Sequence, residues 1–303
     1  MRVLVIGHTG FVGQHMLARV LARAEADLVC VTPPDPFSLD SVAAIEASLS
    51  GLTFDTVLHL AAQSHVPTSF ADPESTVATN VLGTVRLLQV LQTNRFSGRF
   101  LYVSSGDVYG NVAAENLPVR ESVAPAPANP YAASKLAAEE LCLAWARFAG
   151  FETVVARPFN HLGKGQRADF AVARFADLIA RVVTGQSPPR LVTGRLDVTR
   201  DFLDVLDVVD AYIAILRQGQ VGEIYNVCSG IERRLEDLVR ILIRCSGTRI
   251  ECSLDPSLLR PVDLLRIVGD ASKLRAHTGW KPTVPLEETL RDILSNQIRI
   301  YTA

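Results

Sequence analysis

The chain has 303 residues, a hydrophobic fraction of 48% and a mean hydropathy of +0.21, enough for a large core around a sheet that helices cover on both faces. Its 30 basic and 32 acidic residues are scattered and nearly balance to a formal charge of -2, which argues against a nucleic-acid partner. No apolar run reaches the roughly 18 residues of a membrane span, and no signal peptide precedes the first strand, so we predict a cytoplasmic protein without a membrane partner.

The first half of the chain alternates short β-branched runs with amphipathic stretches. Strands are predicted at 2–7, 28–31, 56–61, 99–105 and 151–159, and helices at 11–24, 41–49, 76–93 and 131–149. Alternation of this kind predicts right-handed crossovers between parallel strands. The expected fold class is therefore α/β, a Rossmann doubly wound parallel sheet.

The second half is less regular and predicts a smaller, interleaved C-terminal substrate domain. Helices are expected at 171–184 and 235–245, and residues 222–228 form an apolar run that is typical of a further strand of the first sheet. The chain is thus expected to return to its first domain before it ends. We assign 1–159 plus about 198–229 to dinucleotide binding, and 160–197 plus 230–303 to substrate binding.

Cysteine and histidine usage offers no cross-link or metal signature. The five cysteines form an odd set without a CxxC pair, which favours reduced and mostly buried thiols. The six histidines lack the spacing of a metal motif. We predict no bound metal.

A glycine loop follows the first strand directly and opens a helix. Gly7 permits the tight turn, Gly10 lets the backbone approach a pyrophosphate, and Gly13 lets the helix pack on the strand. Phe11 and Val12 open that helix, whose N-terminus favours an anion. The loop therefore predicts a dinucleotide cofactor.

The residues after the second strand should distinguish the two nicotinamide dinucleotides. The segment from Val31 to Asp35 reads Val-Thr-Pro-Pro-Asp, with no acid at the strand end and no following Lys or Arg to hold a 2′-phosphate. NADP(H) is mildly favoured and NAD(H) stays possible. Asp40 is a candidate contact for the adenine, or equally the N-cap of the helix at 41–49.

A tyrosine and a lysine share one face of the helix that begins near residue 131. Tyr131 and Lys135 are four residues apart, so a cation lies beside a phenol and is expected to favour the phenolate. Lys135 can also reach the nicotinamide ribose. Ser105 follows a central strand, at the sheet edge where ligands of open α/β folds bind, and can share a substrate oxygen with Tyr131. These three residues are the predicted catalytic set.

The order of glycine loop, serine and Tyr-x-x-x-Lys resembles the extended short-chain dehydrogenase/reductase family over essentially the whole chain. Ala61, Ala62 and Gln63 after the third strand, and Asn80 in the next helix, resemble cofactor-lining positions of that family. With Tyr131, these residues complete the cofactor set that the resemblance implies. The alternative for them is local, namely small residues that allow helix packing and a buried Asn that binds backbone.

The segment 159–166, Phe-Asn-His-Leu-Gly-Lys-Gly-Gln, resembles the FNHxGPGQ signature of GDP-4-keto-6-deoxy-D-mannose reductases, with Lys164 in place of the proline. Arginine binds diphosphate oxygens through paired charge-assisted hydrogen bonds. The resemblance implies a substrate set of Ser105, Asp107, Asn160, Arg200, Arg260 and Asp263. His161 is interpreted as structural.

The resemblance implies an NAD(P)H-dependent enzyme that reduces the 4-keto group of a GDP-4-keto-6-deoxy-hexose and makes GDP-D-rhamnose. It also implies a homodimer, in which each subunit contributes two helices to the interface. A GDP-mannose 4,6-dehydratase is the first alternative, but its usual Thr-Ser-Glu or Thr-Asp-Glu run is replaced here by Ser105-Gly106-Asp107. A nucleotide-sugar 4-epimerase and a non-catalytic dinucleotide-binding sensor are the others. The intact triad argues against the sensor.

Overall fold

A six-stranded parallel sheet in the order β2-β1-β3-β4-β5-β9 forms the centre of the computed structural model, which describes residues 1–23, 27–258 and 265–302. Its strands are β1 (Arg2–Ile6), β2 (Val29–Val31), β3 (Thr56–His59), β4 (Arg99–Val103), β5 (Glu152–Pro158) and β9 (Ile224–Val227). The predicted α/β Rossmann fold is confirmed. The strand expected at 222–228 is β9, which pairs with β5.

Helices cover both faces of this sheet. They are α1 (Phe11–Arg23), α2 (Val42–Leu49), α3 (Val66–Ala71), α4 (Pro73–Val77), α5 (Gly83–Thr93), α6 (Pro130–Ala149) and α8 (Val205–Gln218). Alternate residues of β1 enter opposite cores: Val3 and Val5 pack with α1 and α8, whereas Leu4 and Ile6 pack with α2, α5 and α6. A strand buried on both faces must be apolar at every position, which is why β1 reads as a continuous apolar run.

The helix predicted at 76–93 is interrupted. A π-helical turn, Ala78–Leu82, separates α4 from α5. Buried Asn80 lies in that turn and bonds outside its own helix, to Gln63 and Ser134. A π turn holds one residue more than an α turn, so it shifts the apolar pattern by one position without ending the helix, and the sequence prediction of one continuous helix did not include it. π turns of this kind often occur at functional sites.

The rest of the chain builds two small sheets beside the main one. They are β10-β8-β6 and β11-β7, formed by β6 (Asn160–Leu162), β7 (Arg190–Thr193), β8 (Thr199–Asp204), β10 (Glu232–Arg234) and β11 (Glu251–Leu254). The remaining helices are α7 (Ala171–Val183), α9 (Leu235–Ser246), α10 (Ser272–Thr278) and α11 (Leu286–Thr302). A third apolar core joins α7, α9 and α11. None of the described helices is long and apolar enough to cross a membrane.

The cysteines depart from the expected burial. Only Cys142 and Cys228 are buried; Cys30 and Cys245 are half-buried and Cys252 is exposed. Cys252 lies on β11, whose partner β7 covers only one edge of the strand and leaves most of its side chains in solvent. The prediction of mostly buried thiols is therefore wrong.

Candidate active site

The carboxyl end of β4 and the start of α6 bring a serine and a tyrosine together. Ser105 caps a short helical turn, Gly106–Tyr109, and its Oγ accepts a hydrogen bond from the backbone N–H of Asp107 at 3.1 Å. Asn129 caps α6 by accepting from the N–H of Ala132 at 2.8 Å, which fixes the first turn of the helix. The hydroxyl of Ser105 lies close enough to the phenol of Tyr131 to lower its pKa. Two of the three predicted catalytic residues are thus in contact.

The electrostatics at Tyr131 differ from the expectation. Burial and the nearby carboxylate of Asp107 raise the pKa of Tyr131 well above its usual value, and the hydrogen bond with Ser105 opposes them only in part. Lys135 instead lies over the ring of Tyr102, 4.6 Å from its centroid. The prediction that Lys135 favours the phenolate is therefore wrong for this arrangement, in which the phenol keeps its proton at neutral pH.

Lys135 is itself in an unfavourable place for a cation. Its side chain is only 3% exposed, and burial lowers its pKa from 10.5 to about 8, against the opposing effects of Cys142 and Glu139. A lysine with this pKa is partly deprotonated just above neutral pH. The fold thus holds a buried ammonium group, destabilised by loss of solvent, one helical turn from Tyr131.

Lys135→Met is expected to stabilise the fold while it removes activity. Below pH 8 the buried ammonium lowers the free energy of unfolding by up to about 3 kcal/mol. This value is the free-energy equivalent of lowering the pKa of Lys135 from 10.5 to about 8. Between these two pKa values the unfolded chain binds more protons than the folded one, so wild-type stability rises with pH there. The variant should unfold at a higher urea concentration at pH 7, and this advantage should shrink above pH 8 and vanish near pH 10.5. The exposed Lys281→Met is the control; equal effects of both variants at pH 7 would refute the argument.

A buried ion pair fixes α6 against the sheet. Arg157 on β5 donates to Glu139 through two hydrogen bonds of 3.1 and 2.5 Å, and its guanidinium lies 4.8 Å from the centroid of the Tyr109 ring. Tyr109 in turn donates to Asn226 Oδ1 at 2.8 Å. The pair thus joins the helix of Tyr131 to the turn after Ser105. The sequence prediction missed it, although a Glu one turn after Lys135 and an Arg in a buried strand are opposite charges that need a partner.

The glycine loop fits the pyrophosphate of a dinucleotide. Gly7 has φ +94°, and a Cβ there would lie 2.7 Å from Ala61 N; a Cβ on Gly13 would lie 2.3 Å from Gly7 O. A Cβ on Gly10 would meet only Gly7 O, at 3.2 Å. Protein packing therefore requires glycine at positions 7 and 13, whereas the open side of Gly10 faces away from the protein. Phe11 and Val12 start α1, where backbone N–H groups lack acceptors within the helix.

Asn80 connects the loop after β3 with α6. Its Oδ1 accepts from the N–H of Gln63 at 2.8 Å, and its Nδ2 donates to Gln63 O at 3.0 Å and Ser134 Oγ at 2.9 Å. Ser134 Oγ donates to Tyr131 O at 2.7 Å. The polar atoms of Asn80 thus contact protein, as in the local alternative. Ala61 and Ala62 begin the same loop beside Gly7.

The loop after β2 lies against the glycine loop. His8 Nε2 lies 3.4 Å from Asp35 Oδ2, so an exposed carboxylate is held beside the cofactor loop. Residues 32–40 contain no Lys or Arg. Asp40 is exposed, and the N-cap of α2 is Ser41, whose Oγ accepts from the N–H of Ala44 at 3.1 Å. The suggestion that Asp40 caps this helix is therefore wrong, and its contact with adenine stays a prediction.

Two of the substrate candidates lie on the small sheet β10-β8-β6. Asn160 starts β6 and Arg200 lies on β8, where its Nη1 donates to Thr199 O at 2.8 Å. Arg260 and Asp263 lie outside the described residues. No group of three or more potential metal ligands occurs in 1–23, 27–258 or 265–302.

The segment that follows Asn160 packs on the glycine loop. His161 stacks on Phe11 with ring centroids 6.2 Å apart, and its Nδ1 donates to Phe159 O at 3.0 Å. Lys164 is exposed, and its carbonyl accepts from His15 Nε2 at 2.9 Å. The lysine in place of the expected proline thus leaves its backbone bonded to α1. These contacts join the cofactor side of the site to the substrate side.

Comparisons with known proteins agree with this geometry. A family profile described as GDP-mannose 4,6 dehydratase matches residues 37–293. A GDP-6-deoxy-D-mannose reductase from Pseudomonas aeruginosa is 45% identical over 298 residues, covering 97% of this chain and 96% of that protein. The structure of RMD from Pseudomonas aeruginosa complexed with NADPH has a TM-score of 0.94 at 43% identity and covers 99% of both chains. A Thermus thermophilus UDP-glucose 4-epimerase complex with NAD has a TM-score of 0.85 at 29% identity, over 98% of this chain and 99% of that one.

Proposed function

This chain belongs to the GDP-mannose 4,6-dehydratase family of extended short-chain dehydrogenases/reductases, and from that premise we propose that it is a reductase of a GDP-4-keto-6-deoxy-hexose. The reaction reduces the 4-keto group of GDP-4-keto-6-deoxy-D-mannose to a hydroxyl and gives GDP-D-rhamnose. Similarity to the Pseudomonas aeruginosa reductase over nearly the whole of both chains supports this substrate. NADP(H) is the cofactor, in agreement with the NADPH complex of the related Pseudomonas aeruginosa structure.

One observation separates this proposal from dehydration. Gly106 lies where the dehydratases carry the middle side chain of their acid/base run. A Cβ on Gly106 would lie 3.0 to 3.1 Å from three ring atoms of Phe159, which is tighter than normal packing. The ring of Phe159 thus occupies the space that such a side chain would need. Elimination of water requires a positioned acid/base pair, and here only Asp107 remains from that run.

The residues around Tyr131 suit the reduction of a ketone. NADPH, when bound, supplies the hydride that reaches C4 of the sugar. Tyr131 keeps its proton because burial and Asp107 raise its pKa, so it can donate that proton to the 4-oxygen. The hydroxyl of Ser105 faces Tyr131 and lowers its pKa, and we take it to share the 4-oxygen with Tyr131 when the sugar is bound. Lys135 would bind the ribose hydroxyls next to the nicotinamide.

Assembly and location belong to the same proposal. Phe70, Val77, Leu82 and Phe148 expose large apolar side chains on helices α3 to α6 and the π turn. Apolar side chains exposed together on a helical surface are typical of an interface between subunits. We propose a homodimer through these helices, and a cytoplasmic enzyme.

The proposed function is tested by the direction of the reaction. The purified protein should consume NADPH in equimolar amount with GDP-4-keto-6-deoxy-D-mannose, measured by nicotinamide absorbance, and NMR should identify GDP-D-rhamnose. With GDP-mannose alone it should give no keto sugar. Because a reductase releases oxidised cofactor in each cycle, the protein should also be purified largely free of nucleotide. Formation of the 4-keto-6-deoxy product from GDP-mannose, with no net change in absorbance, would replace this proposal by the lyase.

A further inference from the structure

Two arginines lie directly opposite each other in the small sheet. β10 and β8 are antiparallel, and their register pairs Arg233 with Arg200 and Glu232 with Asp201. Residues directly opposite in an antiparallel pair place their side chains on the same face, and neighbours along a strand alternate between faces. Arg200 and Arg233 therefore share one face, and Glu232 and Asp201 share the other.

The arginine face also carries the predicted sugar-side residue. β6 and β8 are parallel, and their register pairs Asn160 with Phe202. Phe202 is two residues from Arg200 and so lies on the same face. Asn160, Arg200 and Arg233 thus lie on one face of the three-stranded sheet, with Asn160 opposite Phe202 and Arg233 opposite Arg200. The sequence predicts Asn160 and Arg200 as substrate contacts, but not Arg233.

The acids on the opposite face are already paired. Asp201 accepts from the N–H groups of Ser229 at 2.8 Å and Gly230 at 2.9 Å. Glu232 accepts two hydrogen bonds of 2.7 Å from Arg266. Arg233 is exposed and has no salt-bridge partner in the described ranges. Two guanidinium groups directly opposite each other in a sheet repel, so an anion that binds both would relieve this repulsion.

We propose that Arg233 binds the diphosphate of the nucleotide sugar together with Arg200, which rests on the proposed function. A diphosphate carries its charge on several oxygens, which suits two adjacent guanidinium groups, each able to donate paired hydrogen bonds. Arg233 is then a specificity residue for nucleoside diphosphates.

The neighbouring Arg234 provides a matched control, since it lies on the same short strand but on the opposite face. Arg233→Gln should weaken GDP binding by about tenfold or more in calorimetric titration, the range expected for a lost charge-assisted hydrogen bond. Guanosine binding and NADPH binding should change less than twofold. Arg234→Gln should leave all three affinities within twofold of wild type. Arg233→Lys, which keeps the charge but loses the paired donors, should recover part of the GDP affinity.

The outcomes separate this inference from the proposed function. If wild type binds GDP and Arg233→Gln binds it equally well, the inference fails and the proposed function stands. If Arg233→Gln weakens guanosine as much as GDP, the contact is not with the diphosphate and the inference also fails. Absence of GDP binding by wild type would overturn both. Thermal unfolding of Arg233→Gln at a temperature equal to or above that of Arg234→Gln would show that the loss of affinity is not a loss of fold.

Discussion

Replacement of Tyr131 by phenylalanine is expected to lower kcat at least about 100-fold, since loss of a general acid costs 10² to 10⁴ in rate. The hydroxyl of Tyr131 is the group that contacts Ser105, and its raised pKa keeps the proton available for the 4-oxygen. Phenylalanine keeps the ring and therefore its packing at the start of α6. The affinity for NADPH and the unfolding temperature should stay close to those of wild type.

A second buried tyrosine offers the matched control for this variant. Tyr212 is fully buried on α8, and its hydroxyl has no hydrogen-bond partner among the described residues. Tyr212→Phe removes the same atom from a buried ring and should leave kcat within about twofold, because a buried hydroxyl without a partner contributes little to the fold. Turnover of the Tyr131 variant within threefold of wild type would end the assignment of the catalytic set.

Gly10→Val is expected to abolish dinucleotide binding, with an affinity for NADPH at least about 100-fold weaker than that of wild type. A Cβ on Gly10 meets only Gly7 O within 4 Å of the protein, at 3.2 Å, so the protein itself should accommodate the change with a modest loss of stability. The side chain would then lie where a pyrophosphate approaches the start of α1. Calorimetric titration of NADPH measures the effect directly.

Gly13→Ala separates the two uses of glycine in this loop. A Cβ on Gly13 would lie 2.3 Å from Gly7 O and 2.6 Å from His8 Cα, both backbone atoms that cannot move aside cheaply. This variant should lose thermal stability as well as cofactor affinity, whereas Gly10→Val should lose mainly affinity. NADPH binding by Gly10→Val within threefold of wild type would mean that the loop is only a turn.

Local spacing made much of the fold predictable. The order of strands and helices follows from periodicity, and Gly7 and Gly13 follow from a turn between β1 and α1 that only glycine permits at these two positions. The sequence also predicted that Ser105 lies near Tyr131, because ligands of open α/β sheets bind at the edge where the carboxyl ends of the parallel strands meet.

Features that depend on tertiary contacts were not predictable in this way. Burial and Asp107 set the pKa of Tyr131. The four-residue spacing between Tyr131 and Lys135 predicts neither how deeply the phenol is buried nor how close Asp107 lies to it. The π turn around Asn80 shifts the hydrophobic pattern by only one position, and helix continues on both sides of it. Arg233 is opposite Arg200 only because β10 and β8 pair in one register, which depends on how the chain returns to the small sheet.

Completion of the main sheet by β9 affects the order in which the chain can fold. β5 pairs along one edge with β4 and along the other with β9, which enters the sequence only at Ile224. During synthesis, a nascent chain that has made β1 to β5 therefore has an open apolar strand edge until residues 224–227 leave the ribosome. An unpaired edge of this kind is a template for pairing with other chains. The closing strand thus protects the nascent protein from aggregation, and a fragment that ends before it would carry the exposed edge permanently.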